Sequence, residues 1–273
     1  MHRVEVRIMF GTAILFIICV CLFTPAAQAG GVDLDVKDAS DKTNVDAADL
    51  ERPNGVTIHW RKAFLESGLF IALMNGKRVA FERRTRAGMK GPFFRNYWRS
   101  VKGSLKWKWD DGDSLFINYV QHPAEGAAFA FILRQEDPNS PDPASCGFSK
   151  RYFRQTFKTV IFSAIQSTLF EIGPVSEASI GNEGYFKQSG LVDFVITPTA
   201  GVAFMIGEDL LDNYVIKRIE RRIHNKIFWA TMRVGLNPTR SLATALVFKK
   251  PWYRKRDNLK GNVCDSLGLH SDR

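Results

Sequence analysis

The sequence predicts a mainly α-helical protein, a compact multi-helix bundle whose helices are kinked and interrupted by glycine and proline. Three observations predict it. Residues 115–133, 152–172 and 192–214 are long apolar runs with recurring helical spacing. Thr197-Pro198 and Asn237-Pro238 pair a capping residue with a proline suited to the first helical position. Gly88-Met89-Lys90-Gly91-Pro92, the stretch 136–149 with Pro138, Pro141, Pro143 and Gly147, and Gly173-Pro174 break the chain between runs.

The chain opens with Arg3 and Arg7, an uncharged run from Ile8 to Phe23, and Ala27-Gln28-Ala29. That is a basic region, an apolar region and an Ala-x-Ala site, which predicts a signal peptide over 1–29 cut after Ala29. Its removal lowers the net charge from +10 to +9 and leaves only Cys146 and Cys264. In an oxidising compartment these two either pair or stay as free surface thiols. Neither sits in a CxxC motif, so zinc and thioredoxin-like chemistry lack support.

Residues 30–55 carry seven acids against three bases and no aromatic residue, which predicts an acidic flexible linker. A helical domain is then expected over 56–256, followed by a flexible tail over 257–273. Trp60, Phe64, Leu65, Leu69, Ile71, Leu73 and Met74 give a first helix within 56–87. Arg95, Trp98, Arg99, Lys106, Trp107, Lys108 and Trp109 follow. From 56 to 109 there are thirteen Lys and Arg against Glu66 and Glu82. Such interleaving is either a solvated basic face with inward aromatics, a membrane-surface or anion-binding cluster, or a nucleic-acid surface. Export makes nucleic acid the weakest of the three. A second cluster, with Trp252 and Arg254, closes a stretch from 217 to 256 that has twelve bases against Glu220. The middle, 110–216, is acidic by eight charges, so the chain reads basic, acidic, basic.

Asp113 is placed to cap the helix that runs toward Leu133, and Pro123 kinks that helix or starts a new one. The next helix opens on Arg151, Arg154 and Lys158 and closes on Glu171, both against its dipole. A local conflict of that kind marks a tertiary or functional demand. Thr197-Pro198 then starts the third helix, which puts Gly201, Met205, Glu208 and Asp212 on one face and points Asp209 elsewhere. Outside the signal no uncharged run reaches the ~20 residues needed to cross a bilayer.

Polar groups stand inside these apolar helices, and each has two readings. His122 is either a cap for the helix beginning at Pro123 or a base or metal ligand working with Glu125. Glu171 either bonds the loop holding Ser176 and Ser179 or belongs to a site. Glu208 and Asp212 either pair with Arg and Lys or supply acid or metal-binding groups. No P-loop, His-Glu-x-x-His or Gly-x-Ser-x-Gly string occurs; His122 with the carboxylates of adjacent helices could form a bundle-core metal site, and the sequence leaves metal and cofactor open.

Asp111-Gly112-Asp113, Asn118-Tyr119, His122-Pro123 with Gly126, the string from Phe170 to Pro174, and Ser176-Glu177-Ala178-Ser179-Ile180-Gly181-Asn182 form a distinctive set. With Asp193, Thr197-Pro198-Thr199, Gly207-Glu208-Asp209, the string from Asn237 to Ser241, and Pro251-Trp252, the set resembles a family of uncharacterised bacterial cell-envelope proteins, a domain of unknown function. The likeness covers roughly 93–254. It implies an envelope location and a shared architecture, and no reaction.

The expected function is non-catalytic: an exported periplasmic or envelope protein with a structural or binding role, peripheral at an anionic membrane surface, with no protein partner specified. The alternative is an enzyme acting on an envelope lipid or glycan, with His122 as base and Glu171 and Glu208 as acid or metal ligands. Gly126, Ala127, Ala130, Ser163, Ser167 and Gly201 predict that the helices of His122, Glu171 and Glu208 pack closely through small residues.

Overall fold

The computed structural model describes residues 57–105, 109, 113–138, 140, 147–180, 191–223 and 225–254. The signal peptide, the acidic linker, the tail, Lys106, Trp107, Lys108, Cys146 and Cys264 lie outside the described residues. From Ile58 onward the chain forms one compact unit, mainly α-helical, with no strand among the described residues.

Helix α1 (Trp60–Phe81) turns Ala63, Ser67, Phe70, Ile71 and Asn75 inward, the three- and four-residue spacing of one helix face. The short α2 (Arg83–Gly88) follows directly. Gly91, at φ 137°, then makes the turn into Pro92, in a backbone region that L side chains rarely adopt. Helix α3 (Phe93–Ser104) buries Asn96, Ser100, Val101, Gly103 and Ser104. Its Tyr97 hydroxyl donates to the Ile172 carbonyl at 2.7 Å, which fixes α3 at the C-terminal end of a later helix.

The next helix begins at Leu115, just after Ser114, whose hydroxyl accepts from Ile117 N at 3.4 Å. The cap expected of Asp113 therefore falls one residue later. A π-helical turn (Ile117–Gln121) leads without a break into α4 (His122–Glu136). His122 N donates to Ile117 O, five residues back. The widened turn sits just before Pro123, which has no N–H to give and would crowd a regular α-turn, so the helix stays continuous.

Helix α4 is the axis of the bundle. Every residue from Gly126 to Leu133 is buried. Around it pack α1, α5 (Lys150–Ile172), α6 (Val192–Leu210) and α9 (Pro238–Leu246). The expected close packing through small residues is present. A Cβ added at Gly201 would lie 2.7 Å from Gly126 Cα, and Ser163 Oγ donates to Gly126 O at 3.2 Å. Ser167 Oγ donates to Asp193 O at 3.2 Å. These contacts bring α4, α5 and α6 together at backbone distance.

Ser149 caps α5, its hydroxyl accepting from Tyr152 N at 3.2 Å. Helix α6 corrects one expectation: it starts at Val192, not at Thr197-Pro198, and Pro198 lies inside it. The missing amide deprives only the Phe194 carbonyl of its helical donor, a local loss that the packed surroundings tolerate. A second π-turn (Leu211–Ile216) carries α6 into α7 (Lys217–Glu220). The whole stretch Val192–Glu220 is long and apolar enough to cross a bilayer by length and composition, which the sequence reading did not anticipate. Its acids Asp193, Glu208, Asp209 and Asp212 are buried in the bundle. Helix α8 (Lys226–Leu236) is capped by Asn225, and α9 starts at Pro238 as expected, although the side chain of Asn237 makes no cap bond.

Candidate functional site

The polar groups inside the bundle form two separate centres. The first surrounds His122, at the junction of the π-turn and α4. Its Nδ1 lies 3.5 Å from Glu125 Oε2, one turn on, and its Nε2 lies 3.2 Å from Asp193 Oδ1 on α6. Gln121 Nε2 donates to Glu125 Oε1 at 3.2 Å. Glu171, at the end of α5, acts on the same imidazole electrostatically. All four ionisable side chains are buried.

Burial by itself would push the His122 pKa down. The hydrogen bond and charge of Glu125, with the charges of Asp193 and Glu171, outweigh it and raise the pKa from 6.5 to about 10. His122 is therefore an imidazolium at neutral pH, held among three carboxylates. A folded pKa raised above the unfolded value contributes stability that is complete below pH 6.5 and is lost as pH rises through about 10. The stability advantage of the wild type over His122→Gln should accordingly shrink across that window in urea titrations at stepped pH. A difference that stays constant with pH would show that His122 is neutral in the fold.

The second centre lies on the other half of α6 and holds Glu208, Asp209 and Asp212 against Arg134, Arg240 and Arg254. Glu208 accepts from Thr239 N and Arg240 N, each at 3.0 Å, and so caps α9 from a different helix. Burial raises its pKa, and the amide bonds of Arg240 and Thr239 draw it back. Asp209 pairs with Arg134, accepts from the Tyr152 hydroxyl at 2.7 Å, and lies 3.5 Å from Arg240 Nη1. Asp212 lies 3.4 Å from Arg240 Nη1 and 3.5 Å from Arg254 Nε.

Of the expected site residues, the structure brings together His122, Glu125 and Glu171. It places Glu208 apart from them, in a cap. The three-residue His122–Glu171–Glu208 centre required by the enzyme alternative is not assembled. Asp193 replaces Glu208 as the third carboxylate. Asp209 corrects another expectation: it points into the ion cluster beside Asp212. Among the described residues no group of three or more His, Cys, Asp or Glu side chains is arranged to hold a metal. Ser176 and Ser179 bond each other's backbone, Ser176 N to Ser179 Oγ at 2.8 Å and Ser179 N to Ser176 Oγ at 3.1 Å, and serve the turn after α5.

The surface cluster divides as well. Arg95, Trp98 and Arg99 stand exposed on α3, beside Phe93 and Phe94. Trp109 is exposed, its indole N–H donating to the Tyr119 hydroxyl at 3.4 Å. Trp252 is half-buried. Arg254 belongs to no surface: it is 1% exposed and donates to the carbonyls of Pro251, Tyr253 and Arg233. A buried guanidinium needs a carboxylate, and Asp212 supplies it. Near α3, Arg83, Arg84, Arg86 and Lys90 line an open depression of about 420 Å³.

No protein-family model, curated protein or solved structure matches this chain.

Proposed function

We propose that this is an exported cell-envelope protein that attaches to an anionic membrane surface and has a structural or binding role there. The observation that carries this reading is the outward face of α3. Phe93, Phe94 and Trp98 project from it together with Arg95, Arg99 and Lys102, while its small and polar residues turn inward. Aromatic rings settle at headgroup level, and Lys and Arg are drawn to anionic lipid at about 1 kcal/mol each. The basic depression beside α3 adds to the same field. The signal-like N-terminus and the family resemblance support the envelope location. Both buried centres are closed by their own ion pairs and caps, which supports a structural use for them.

Reversing two charges, Arg95→Glu with Arg99→Glu, removes two favourable contacts. Binding to phosphatidylglycerol-containing vesicles should weaken about 30-fold or more on that basis. Raising salt should weaken wild-type binding in the same direction, because exposed charges are screened within ~10 Å at 0.1 M. Binding that is indifferent to both changes would reject attachment through this face.

A further inference from the structure

Three helices of the bundle have inverted polarity. On α5 the exposed positions beyond Phe153 and Arg154 are Phe157, Ile161, Ile165 and Thr168, while Ser163, Gln166, Ser167 and Glu171 are buried. On α6 Val195 and Phe204 face out, and Asp193, Thr197, Glu208 and Asp209 face in. On α1 every exposed position from 64 to 76 is uncharged, with Leu65, Leu69 and Leu73 in one stripe, and Ser67 and Asn75 are inward. Glu66, the one charged residue in that stretch, is half-buried beside Glu136. A helix surrounded by water is expected to show the opposite pattern.

The hydroxyls on these outer faces are already satisfied. Thr168 Oγ1 donates to Ala164 O at 2.8 Å, and Thr199 Oγ1 donates to Val195 O at 2.6 Å. Each bonds its own helix one turn back, so neither offers a donor outward. That arrangement suits a medium without water. The faces are also neighbours. The Phe64 ring on α1 lies 5.4 Å from Phe162 on α5, and α5 packs directly on α6. Helix α3, with its aromatic and basic face, is bonded to the end of α5 through Tyr97.

We infer that the outward faces of α1, α5 and α6 lie against lipid acyl chains, so that the bundle is sunk into the membrane below the charged surface. This rests on the membrane attachment proposed above and extends it from headgroups to hydrocarbon. Lipid fits these faces better than a protein partner does. A protein interface has a polar rim around its apolar core, and these stripes have none along their central turns. The headgroup-level helix also stands at their end, where an interface would place it.

The experiment uses the full chain with all four cysteines, Cys19, Cys21, Cys146 and Cys264, replaced by serine, bound to vesicles of phosphatidylglycerol and phosphatidylcholine. Single probes are attached at Leu69→Cys, Ile161→Cys or Phe204→Cys, and at the exposed Arg222→Cys as the water-facing reference. Acyl-chain nitroxides should quench the first three probes at least severalfold more than the reference, and aqueous iodide should quench them less. Probes that iodide reaches as readily as the reference, on protein still bound, overturn the inference and leave electrostatic attachment standing. Protein that fails to bind the vesicles overturns both. Probes shielded from iodide and nitroxide alike, in a chain that sediments as a dimer, would assign the faces to a second copy and overturn the lipid assignment.

Discussion

Gly126→Ala should lower stability by about 3 kcal/mol or more and leave little folded protein at 37 °C. Overpacking a close contact typically costs ~1–3 kcal/mol, and the upper end applies where nothing can yield. An added Cβ at Gly126 would run into the Thr197 carbonyl oxygen and stand 3.1 Å from Gly201 Cα. Both neighbours are backbone of α6, so no side-chain rotation relieves them. The two helices would have to part, and α4 has no free face toward which to move. Separation would also stretch the bond from Ser163 to Gly126 O, which ties in α5. Gly201→Leu should fail for the reciprocal reason, since its Cβ would meet Gly126 Cα at 2.7 Å. Gly207→Ala is the control. Nothing lies within 4 Å of its would-be Cβ. There the helix propensity of alanine should add up to ~1 kcal/mol. Thermal melts of the three variants check this, and a Gly126→Ala protein that melts like the control would show that α4 and α6 do not meet at backbone distance.

This contact was legible in the sequence because it depends on residue size and helical spacing, and both are local. The same holds for the mainly α-helical fold and for the helix starting at Pro238. Pro198 was misread because proline rules describe an isolated helix. In α6 the lost bond is offset by packing against α4 on one side and α5 on the other. Pro123 was half-legible: the sequence marks a disturbance, and only the coordinates show that a π-turn absorbs it. The polar centre was anticipated as one site and is two. Spacing along one helix gives the direction of a side chain and says nothing about which partner arrives from elsewhere. Glu208 is claimed by the amides of α9, 31 and 32 residues on. Asp209 was set apart from Glu208 and Asp212 on a regular helical wheel. Arg134 and Tyr152, on α4 and α5, meet it from the side the wheel left empty. Arg254 sits in a basic string that looks solvated, and its burial follows from Asp212, 42 residues earlier.

Removing Asp212 should cost about 3–5 kcal/mol, the range for leaving a buried charge without its partner. Asp209 and Asp212 here pair with three guanidiniums, Arg134, Arg240 and Arg254, and the side chains of Asp212 and Arg254 are both 0% exposed. Asp212→Ala takes away the carboxylate beside Arg254 Nε and a carboxylate beside Arg240 Nη1. The excess positive charge then has no route to water. Arg254→Met should cost less than Asp212→Ala, because Asp212 keeps Arg240 as a partner. The double variant should cost less than the sum of the two by ~0.5–3 kcal/mol, the coupling expected of residues in one ion network. Simple additivity in urea unfolding would show that the pair does not interact. A second readout follows from position. Arg254 Nη2 donates to the Arg233 carbonyl, and Arg233 Nη1 donates to the Trp252 carbonyl, so these bonds lay residues 251–254 against α8. When Asp212 no longer holds Arg254, tryptic cleavage after Lys249 should accelerate before global unfolding, because the segment opens locally at lower free energy than the bundle. Equal cleavage rates in wild type and Asp212→Ala would mean the segment is held by packing alone. Trp252 lies on this segment, so its half-buried position depends on the Asp212–Arg254 pair.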